Sequence, residues 1–161
     1  MISDSILTEI ASALEARGMT LASAESCTGG MVGMLITSLP GSSRFYRGGV
    51  VAYSDDLKRE LLGVDPESIR LHGAVSAQVA MQMASGVRHV TESDIGIAIT
   101  GIAGPGGGSP AKPVGTVCLA VDGPGIGQLE MIHVPGDRET VRRNSALRLL
   151  EILLESLRSE G

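Results

Sequence analysis

Short apolar segments alternate with amphipathic ones along this chain, and that alternation limits the folds it can adopt. Apolar residues at helical spacing and short apolar runs bounded by glycine predict the order αβαβααβββα. Strands that alternate with helices are typical of layered α/β domains. The predicted strands are 19–24, 48–54, 94–100, 114–121 and 129–134, and the predicted helices are 6–17, 28–39, 55–62, 66–72, 76–90 and 137–158.

The last two strands flank a Gly123-Pro124-Gly125 turn, which predicts a hairpin. A hairpin makes at least one strand antiparallel, so the sheet should be mixed. A chain of 161 residues without an internal repeat or linker is the usual size of one domain. We therefore expect one α/β domain over residues 1–161.

The net charge and the length of the apolar runs limit the kinds of partner that the protein can bind. The formal net charge of -5 disfavours a nucleic-acid interface, which needs clustered lysine and arginine, but it permits a small anionic ligand. The longest apolar run, 31–36, is too short to cross a membrane, and the start has no basic flank typical of a signal peptide. Cys27 and Cys118 lack metal-ligand spacing. We expect a reduced, cytoplasmic protein.

Three predicted strands end in reactive side chains. Ala24 leads into Ser26, Tyr53 leads into Lys58, and Thr100 leads into the glycine-rich loop 101–113. Ligands of α/β sheets bind beyond the carboxyl ends of the strands. These three strand ends are therefore predicted to form one site.

Ser26 is the candidate nucleophile of that site. It precedes Thr28-Gly29-Gly30, where a helix start would present backbone N–H groups to a developing oxyanion. Lys58 is the candidate base, because partial burial lowers the pKa of a lysine, and Tyr53 could relay the proton. Two alternatives stay open: all three residues could be structural, or the neighbouring Cys27 could be the nucleophile.

Other short motifs carry little chemistry here. Gly107 stands where a P-loop needs lysine, and Ser109 stands where a dinucleotide-binding loop needs its third glycine. Ser109 and Lys112 match SxxK, but they lie among proline and glycine instead of on a helix. The three histidines are His72, His89 and His133. They are scattered without metal-ligand spacing, so we expect no metal site.

Several consecutive motifs together resemble the CinA C-terminal domain family, the nicotinamide mononucleotide deamidases, called PncC-type when they stand alone. The resemblance runs in order from about residue 4 to residue 158. The motifs are AESCTGG at 24–30, GSS at 41–43, VAYS at 51–54 followed by Lys58, HGAVS at 72–76, TGIAGPGGG at 100–108 and KPVGTV at 112–117.

The resemblance implies a three-layer α/β/α sandwich with a mixed, mostly parallel sheet of about five strands. It also implies a cytosolic serine amidohydrolase without metal or cofactor, which converts nicotinamide mononucleotide to nicotinate mononucleotide and ammonia. Carried over, the catalytic residues are Ser26, Lys58 and Tyr53. Thr100 stands where the family often has serine, which keeps the hydroxyl. The N-terminal partner domain of longer members is expected to be absent here.

A substrate phosphate would need donors, and the sequence offers several groups. Three candidate donors lie at the start of the last helix, namely Arg138, Arg142 and Arg143, and solvated helix arginines are their structural alternative. A nucleotide-binding or competence-related interaction module without turnover is the alternative function, and a homo-oligomer is left open. The candidate substrate-binding residues are Thr28, Gly29, Gly30, Ser42, Ser43, Thr100, Gly101, Gly104, Arg138 and Arg142.

Overall fold

A single five-stranded sheet organises the protein, in the order β2-β1-β3-β4-β5. The computed structural model describes residues 2–159, with side chains from residue 4 onward, so residues 1, 160 and 161 of the predicted domain lie outside it. β1 is parallel to β2 and β3, whereas β4 is antiparallel to β3 and β5. The predicted mixed, mostly parallel sheet is confirmed. The strands are β1 Leu21–Glu25, β2 Tyr46–Val51, β3 Ile95–Gly101, β4 Thr116–Gly123 and β5 Ile126–His133.

Helices cover both faces of this sheet and complete the three predicted layers. α1, α2 and α6 share one apolar cluster with the isoleucines of β3, and α3, α4 and α5 pack with the alanines of β1 and β4. Alternate strand residues supply the two clusters, as the pleat of a strand requires. The helices are α1 Ile2–Arg17, α2 Met31–Thr37, α3 Asp55–Leu62, α4 Pro66–His72, α5 Ala77–Thr91 and α6 Arg138–Ser159.

Glycine lets α5 approach its neighbours at backbone distance. A Cβ built on Gly86 would lie 1.9 Å from the Leu62 carbonyl oxygen, and one on Gly96 would lie 2.1 Å from the Ala84 carbonyl oxygen. Real Cβ contacts are never this short, so neither position admits a side chain without movement of the backbone. The sheet and α3 are thereby held tightly against α5.

The element order is confirmed, but two boundaries differ where the reactive residues lie. α2 begins at Met31 instead of residue 28, because Gly29 and Gly30 adopt positive φ angles of 59° and 109° and form a separate turn. β2 ends at Val51, so Tyr53 lies beyond the strand. A short 3-10 helix, Ser42–Arg44, was not predicted.

Ser54 caps α3 and thereby places Lys58 in its first full turn. Its hydroxyl accepts the N–H of Leu57 at 3.1 Å, as expected for a serine before an acidic helix start. Within residues 2–159, no helix combines the length and the apolar character that crossing a membrane would require.

Candidate active site

One pocket lies at the carboxyl ends of β1 and β3, where the sequence predicted it. The three strand ends converge there, and the pocket collects six of the predicted site residues. Thr28, Gly29, Gly30, Gly104 and Arg142 lie around it without lining it. Its lining residues are Ser26, Cys27, Tyr53, Asp55, Lys58, Ala74, Val75, Thr100, Gly101, Ala103 and Arg138.

Ser26 enters the pocket directly from β1. Its backbone N–H donates to the Ile99 carbonyl at 3.0 Å, which fixes it against β3. The residue is 8 % exposed. Among the described residues, no group hydrogen-bonds to the Ser26 hydroxyl, which is therefore available to a ligand.

Lys58 is nearly buried beside it, with only 2 % of the residue exposed. Its amine donates to the Tyr53 carbonyl at 3.2 Å and lies 3.6 Å from Asp55 Oδ1. Burial lowers the pKa of this amine, and the Asp55 carboxylate partly opposes that shift. A lysine in this environment provides a neutral amine at a lower pH than a solvated one.

Among the described residues, the amine of Lys58, the candidate base, makes no hydrogen bond to Ser26. The lysine amine is instead bound by the Tyr53 carbonyl and paired with Asp55. Both side chains nevertheless line the same pocket. Catalytic hydrogen bonds are often absent from a ligand-free site and form only around the substrate.

Tyr53 and Arg138 together form the rim of the pocket. The Tyr53 phenol, in a residue that is 60 % exposed, accepts a hydrogen bond from Arg138 Nη2 at 3.1 Å. Arg138 Nη1 donates to the Gly104 carbonyl at 2.7 Å and so attaches the glycine-rich loop. The relay role predicted that the phenol would contact Ser26 and Lys58. The phenol is instead hydrogen-bonded to Arg138.

Glu25 is a buried residue of this turn that the sequence reasoning did not single out. It is 2 % exposed, and its carboxylate accepts the Thr28 hydroxyl at 2.6 Å and the N–H groups of Gly30, Val32 and Gly33 at 3.2, 2.9 and 3.0 Å. An acid at the end of an apolar strand, just before a glycine turn, was the available signal. The N–H groups expected to face a substrate are largely occupied by this carboxylate.

This pattern limits the groups that three predicted substrate-binding residues can offer to a ligand. The Thr28 side chain binds Glu25, the Gly29 N–H donates to the Ser26 carbonyl at 3.1 Å, and the Gly30 N–H donates to Glu25. None of these groups is left for a substrate, because each already satisfies a polar atom inside the turn.

One other N–H group of the turn remains available. In the described chain, the Cys27 N–H donates to no oxygen, and Cys27 lines the pocket next to Ser26. The Thr28 N–H also has no oxygen acceptor, but Thr28 is fully buried and does not line the pocket. A backbone donor beside the nucleophile is a usual element of an oxyanion hole.

Cys27 is poorly suited to act as the nucleophile. It is 6 % exposed, and burial raises the pKa of its thiol to about 12. The thiolate is the reactive form of cysteine, and very little of it is present near neutral pH at that pKa. The geometry therefore favours Ser26 over the cysteine alternative.

The arginines at the start of α6 have different surroundings. Arg142 Nε donates to the Cys27 carbonyl at 3.1 Å, and its Nη2 donates to the Thr28 carbonyl at 3.0 Å. Arg143 has a largely exposed side chain and pairs with Glu139. Only Arg138 reaches the pocket itself.

The structure does not bring Ser42 and Ser43 to the pocket. They form the 3-10 helix before β2, at the amino end of a strand whose carboxyl end leads to Tyr53. Six strand residues separate the two edges of the sheet, which corresponds to roughly 17 Å. Thr100 does line the pocket, where its hydroxyl donates to the Ala74 carbonyl at 3.0 Å.

The described residues contain no group of three His, Cys, Asp or Glu side chains that could hold a metal ion. The polar side chains that line the pocket beside Ser26 are an amine, a phenol, a guanidinium, a carboxylate, a hydroxyl and a thiol. The amine and the guanidinium can bind an anionic or polar organic ligand, and the amine can transfer protons.

The structure is a three-layer α/β/α domain in which serine, lysine and tyrosine side chains line one pocket at the strand ends. Comparison with known proteins gives the family: the model of the CinA C-terminal domain matches residues 3–157. The chain belongs to the CinA C-terminal domain family, and the resemblance of its motifs is confirmed.

The relatives agree with this assignment. A CinA-like protein of Gloeobacter violaceus is 49 % identical over 152 residues, covering 93 % of this chain and 36 % of the relative. One of Gemmatimonas aurantiaca is 50 % identical over 145 residues, covering 90 % of this chain and 34 % of the relative. The chain thus spans about a third of the length of these curated relatives.

Solved structures match over nearly the whole chain. The competence damage-inducible protein A of Klebsiella pneumoniae subsp. pneumoniae superposes with a TM-score of 0.94 at 37 % identity, covering 99 % of both chains. The competence or damage-inducible protein of Enterobacter asburiae gives a TM-score of 0.92 at 35 % identity, covering 96 % of this chain and 98 % of that one.

Proposed function

We propose that this chain hydrolyses the carboxamide of nicotinamide mononucleotide to nicotinate mononucleotide and ammonia, with Ser26 as nucleophile and Lys58 as base. One observation carries the proposal: an unpaired serine hydroxyl shares a pocket with a nearly buried lysine whose pKa is lowered. A serine paired with a desolvated amine is a known arrangement for acyl transfer. The choice of substrate rests on the family.

The chemistry begins with the attack of Ser26 Oγ on the amide carbon. The hydroxyl proton passes to the neutral Lys58 amine, and the carbonyl oxygen becomes an oxyanion bound by the N–H group of Cys27. The C–N bond then breaks, and the leaving nitrogen takes the proton from Lys58 and departs as ammonia.

Water completes the cycle by hydrolysing the ester on Ser26. Lys58 takes one proton from the attacking water and returns it to Ser26 Oγ as the carbon–oxygen bond breaks. The product acid gives up the second water proton to solvent, and nicotinate mononucleotide leaves the site as the carboxylate. The lysine is neutral before and after each half of the cycle, so its lowered pKa serves both steps.

Tyr53 and Arg138 are proposed to hold the substrate at the rim. The phenol ring is exposed beside the pocket, where it can contact an aromatic base, and the Arg138 guanidinium keeps donors free for a phosphate. Thr100 and Gly101 would form the floor, because both line the pocket at the end of β3.

Ammonia release from nicotinamide mononucleotide tests this function. Purified protein should release ammonia, and Ser26→Ala should reduce the rate by several orders of magnitude at unchanged fold. Cys27→Ala is the matched control on the next residue, and it should keep most of the activity, since it retains the backbone N–H.

Two outcomes would contradict the proposal. A wild-type protein that binds the nucleotide without releasing ammonia would indicate a non-catalytic binding or interaction module. Near-normal activity of Ser26→Ala together with loss in Cys27→Ala would move the nucleophile to the cysteine.

A further inference from the structure

We infer that Arg142 is a positioning residue, not a substrate ligand: together with Glu25 it fixes the turn 26–30 so that the Cys27 N–H faces the oxyanion. The inference rests on the proposed function, because it assigns a role within that reaction. We refer to Arg142, Glu25 and the turn between them as the turn clamp.

Arg142 holds the turn through consecutive carbonyl groups. Its Nε binds the Cys27 oxygen at 3.1 Å, and its Nη2 binds the Thr28 oxygen at 3.0 Å. The planar guanidinium presents these two donors at a fixed spacing, which a lysine amine cannot do. The guanidinium also packs below the turn, where a Cβ on Gly29 would lie 3.5 Å from Nη2.

Holding a carbonyl also orients the amide that follows it. In a trans peptide, the C=O and N–H bonds point in opposite directions. The Ser26 carbonyl accepts the Gly29 N–H, and this bond directs the Cys27 N–H away from Gly29. Arg142 binds the carbonyl at the other end of Cys27, so both peptide groups of this residue are held in place.

Glu25 acts on the remaining amides of the turn. Its buried carboxylate binds the N–H groups of Gly30, Val32 and Gly33 and the hydroxyl of Thr28. Those amides cannot rotate toward a ligand without leaving a buried carboxylate unpaired, which is costly. The Cys27 amide, which belongs to a residue lining the pocket, is the one left to the reaction.

The turn clamp therefore orders the Cys27 N–H before substrate arrives. Donors that are already oriented stabilise the transition state without reorganisation, and loss of one typically costs about 100- to 1000-fold in kcat. A residue that binds the substrate phosphate behaves differently, because its loss weakens ground-state binding and raises KM.

The test compares Arg142→Met and Arg142→Lys with Arg158→Met. Arg158 lies on the same helix, is exposed and pairs with Glu9, far from the pocket. We expect Arg142→Met to lower kcat about 100-fold with KM changed less than about threefold. Arg142→Lys should recover part of the rate, since it can bind one carbonyl, and Arg158→Met should match wild type.

Two kinetic results would overturn the inference. A rise in KM at unchanged kcat would make Arg142 a phosphate ligand. An unchanged kcat per folded molecule, with only a lower thermal midpoint, would make the contact merely structural. Rates are measured well below the thermal midpoint of each variant, so that every molecule is folded.

A spectroscopic measurement separates this inference from the proposed function. The ¹H–¹⁵N resonances of Thr28 and Gly29, whose preceding carbonyls Arg142 binds, should shift in Arg142→Met and stay in place in Arg158→Met. If wild-type protein releases no ammonia, the proposed function fails, and these shifts still decide whether the turn clamp exists. Unshifted resonances would overturn it with any substrate.

Discussion

Replacing Lys58 by methionine should abolish catalysis without unfolding the protein. Methionine fills a similar volume without the amine, so the change removes the proposed base and leaves the packing of α3. Loss of a general base typically costs 10²- to 10⁴-fold in rate, or about 3–5 kcal/mol in the activation free energy. We therefore expect kcat to fall within that range.

The free energy of unfolding of Lys58→Met should be slightly higher than that of the wild type, or equal to it. The amine is nearly buried, and its partners are one backbone carbonyl and one half-exposed carboxylate, Asp55. Replacing such a group by an apolar one is often neutral or stabilising, here by about 1 kcal/mol. The pKa of Lys58 lies below its usual 10.5 in the fold, so the unfolded chain binds more protons. The gain should be largest below the folded pKa and vanish above 10.5.

The assay pairs ammonia release with urea unfolding, and Arg59→Met is the matched control. Arg59 follows Lys58 on α3, has a 40 % exposed side chain and pairs with Asp56, so its loss should leave kcat unchanged and cost less than about 0.5 kcal/mol. A Lys58→Met protein that keeps its kcat per folded molecule, or that loses more than about 2 kcal/mol, would refute the reasoning.

Three further predictions follow from the same contacts. The rate should rise with pH as Lys58 loses its proton, and Asp55→Asn should move this rise to lower pH, because the carboxylate raises the lysine pKa; a shift to higher pH would contradict this. Gly86→Ala should lower the free energy of unfolding by more than about 2 kcal/mol in urea, since its Cβ would lie 1.9 Å from the Leu62 oxygen; equal stability would contradict the packing. Dialysis against a chelator should leave the rate unchanged, and rescue by one divalent ion would contradict the serine route.

The sequence predicted the layers of the fold because hydrophobic periodicity reports directly on burial. The alanine face of β1 and the isoleucine face of β3 are visible as alternation, and Ser54 and Ser76 are recognisable helix caps. Strand ends could also be placed on one edge of the sheet, which brought Ser26, Tyr53 and Lys58 to one pocket.

Hydrogen bonds inside the site could not be predicted in this way. A helix start at Thr28 was the natural reading of the glycine pair, but the positive φ angles of Gly29 and Gly30 create a turn that Glu25 fills. The partners of Arg142 lie more than 100 residues away along the chain, so no local pattern connects them. Ser42 and Ser43 were placed by motif alone, without a strand end to fix their edge of the sheet.

Intact-protein mass measurement after rapid quenching tests the central claim most directly. If Ser26 attacks the amide, protein quenched during turnover should carry the nicotinate mononucleotide acyl group, and peptide mapping should place it on Ser26. Ser26→Ala should show no added mass under the same conditions, whereas Lys58→Met should accumulate little because attack itself is slowed. An acyl adduct on Cys27 instead of Ser26 would contradict covalent catalysis by Ser26.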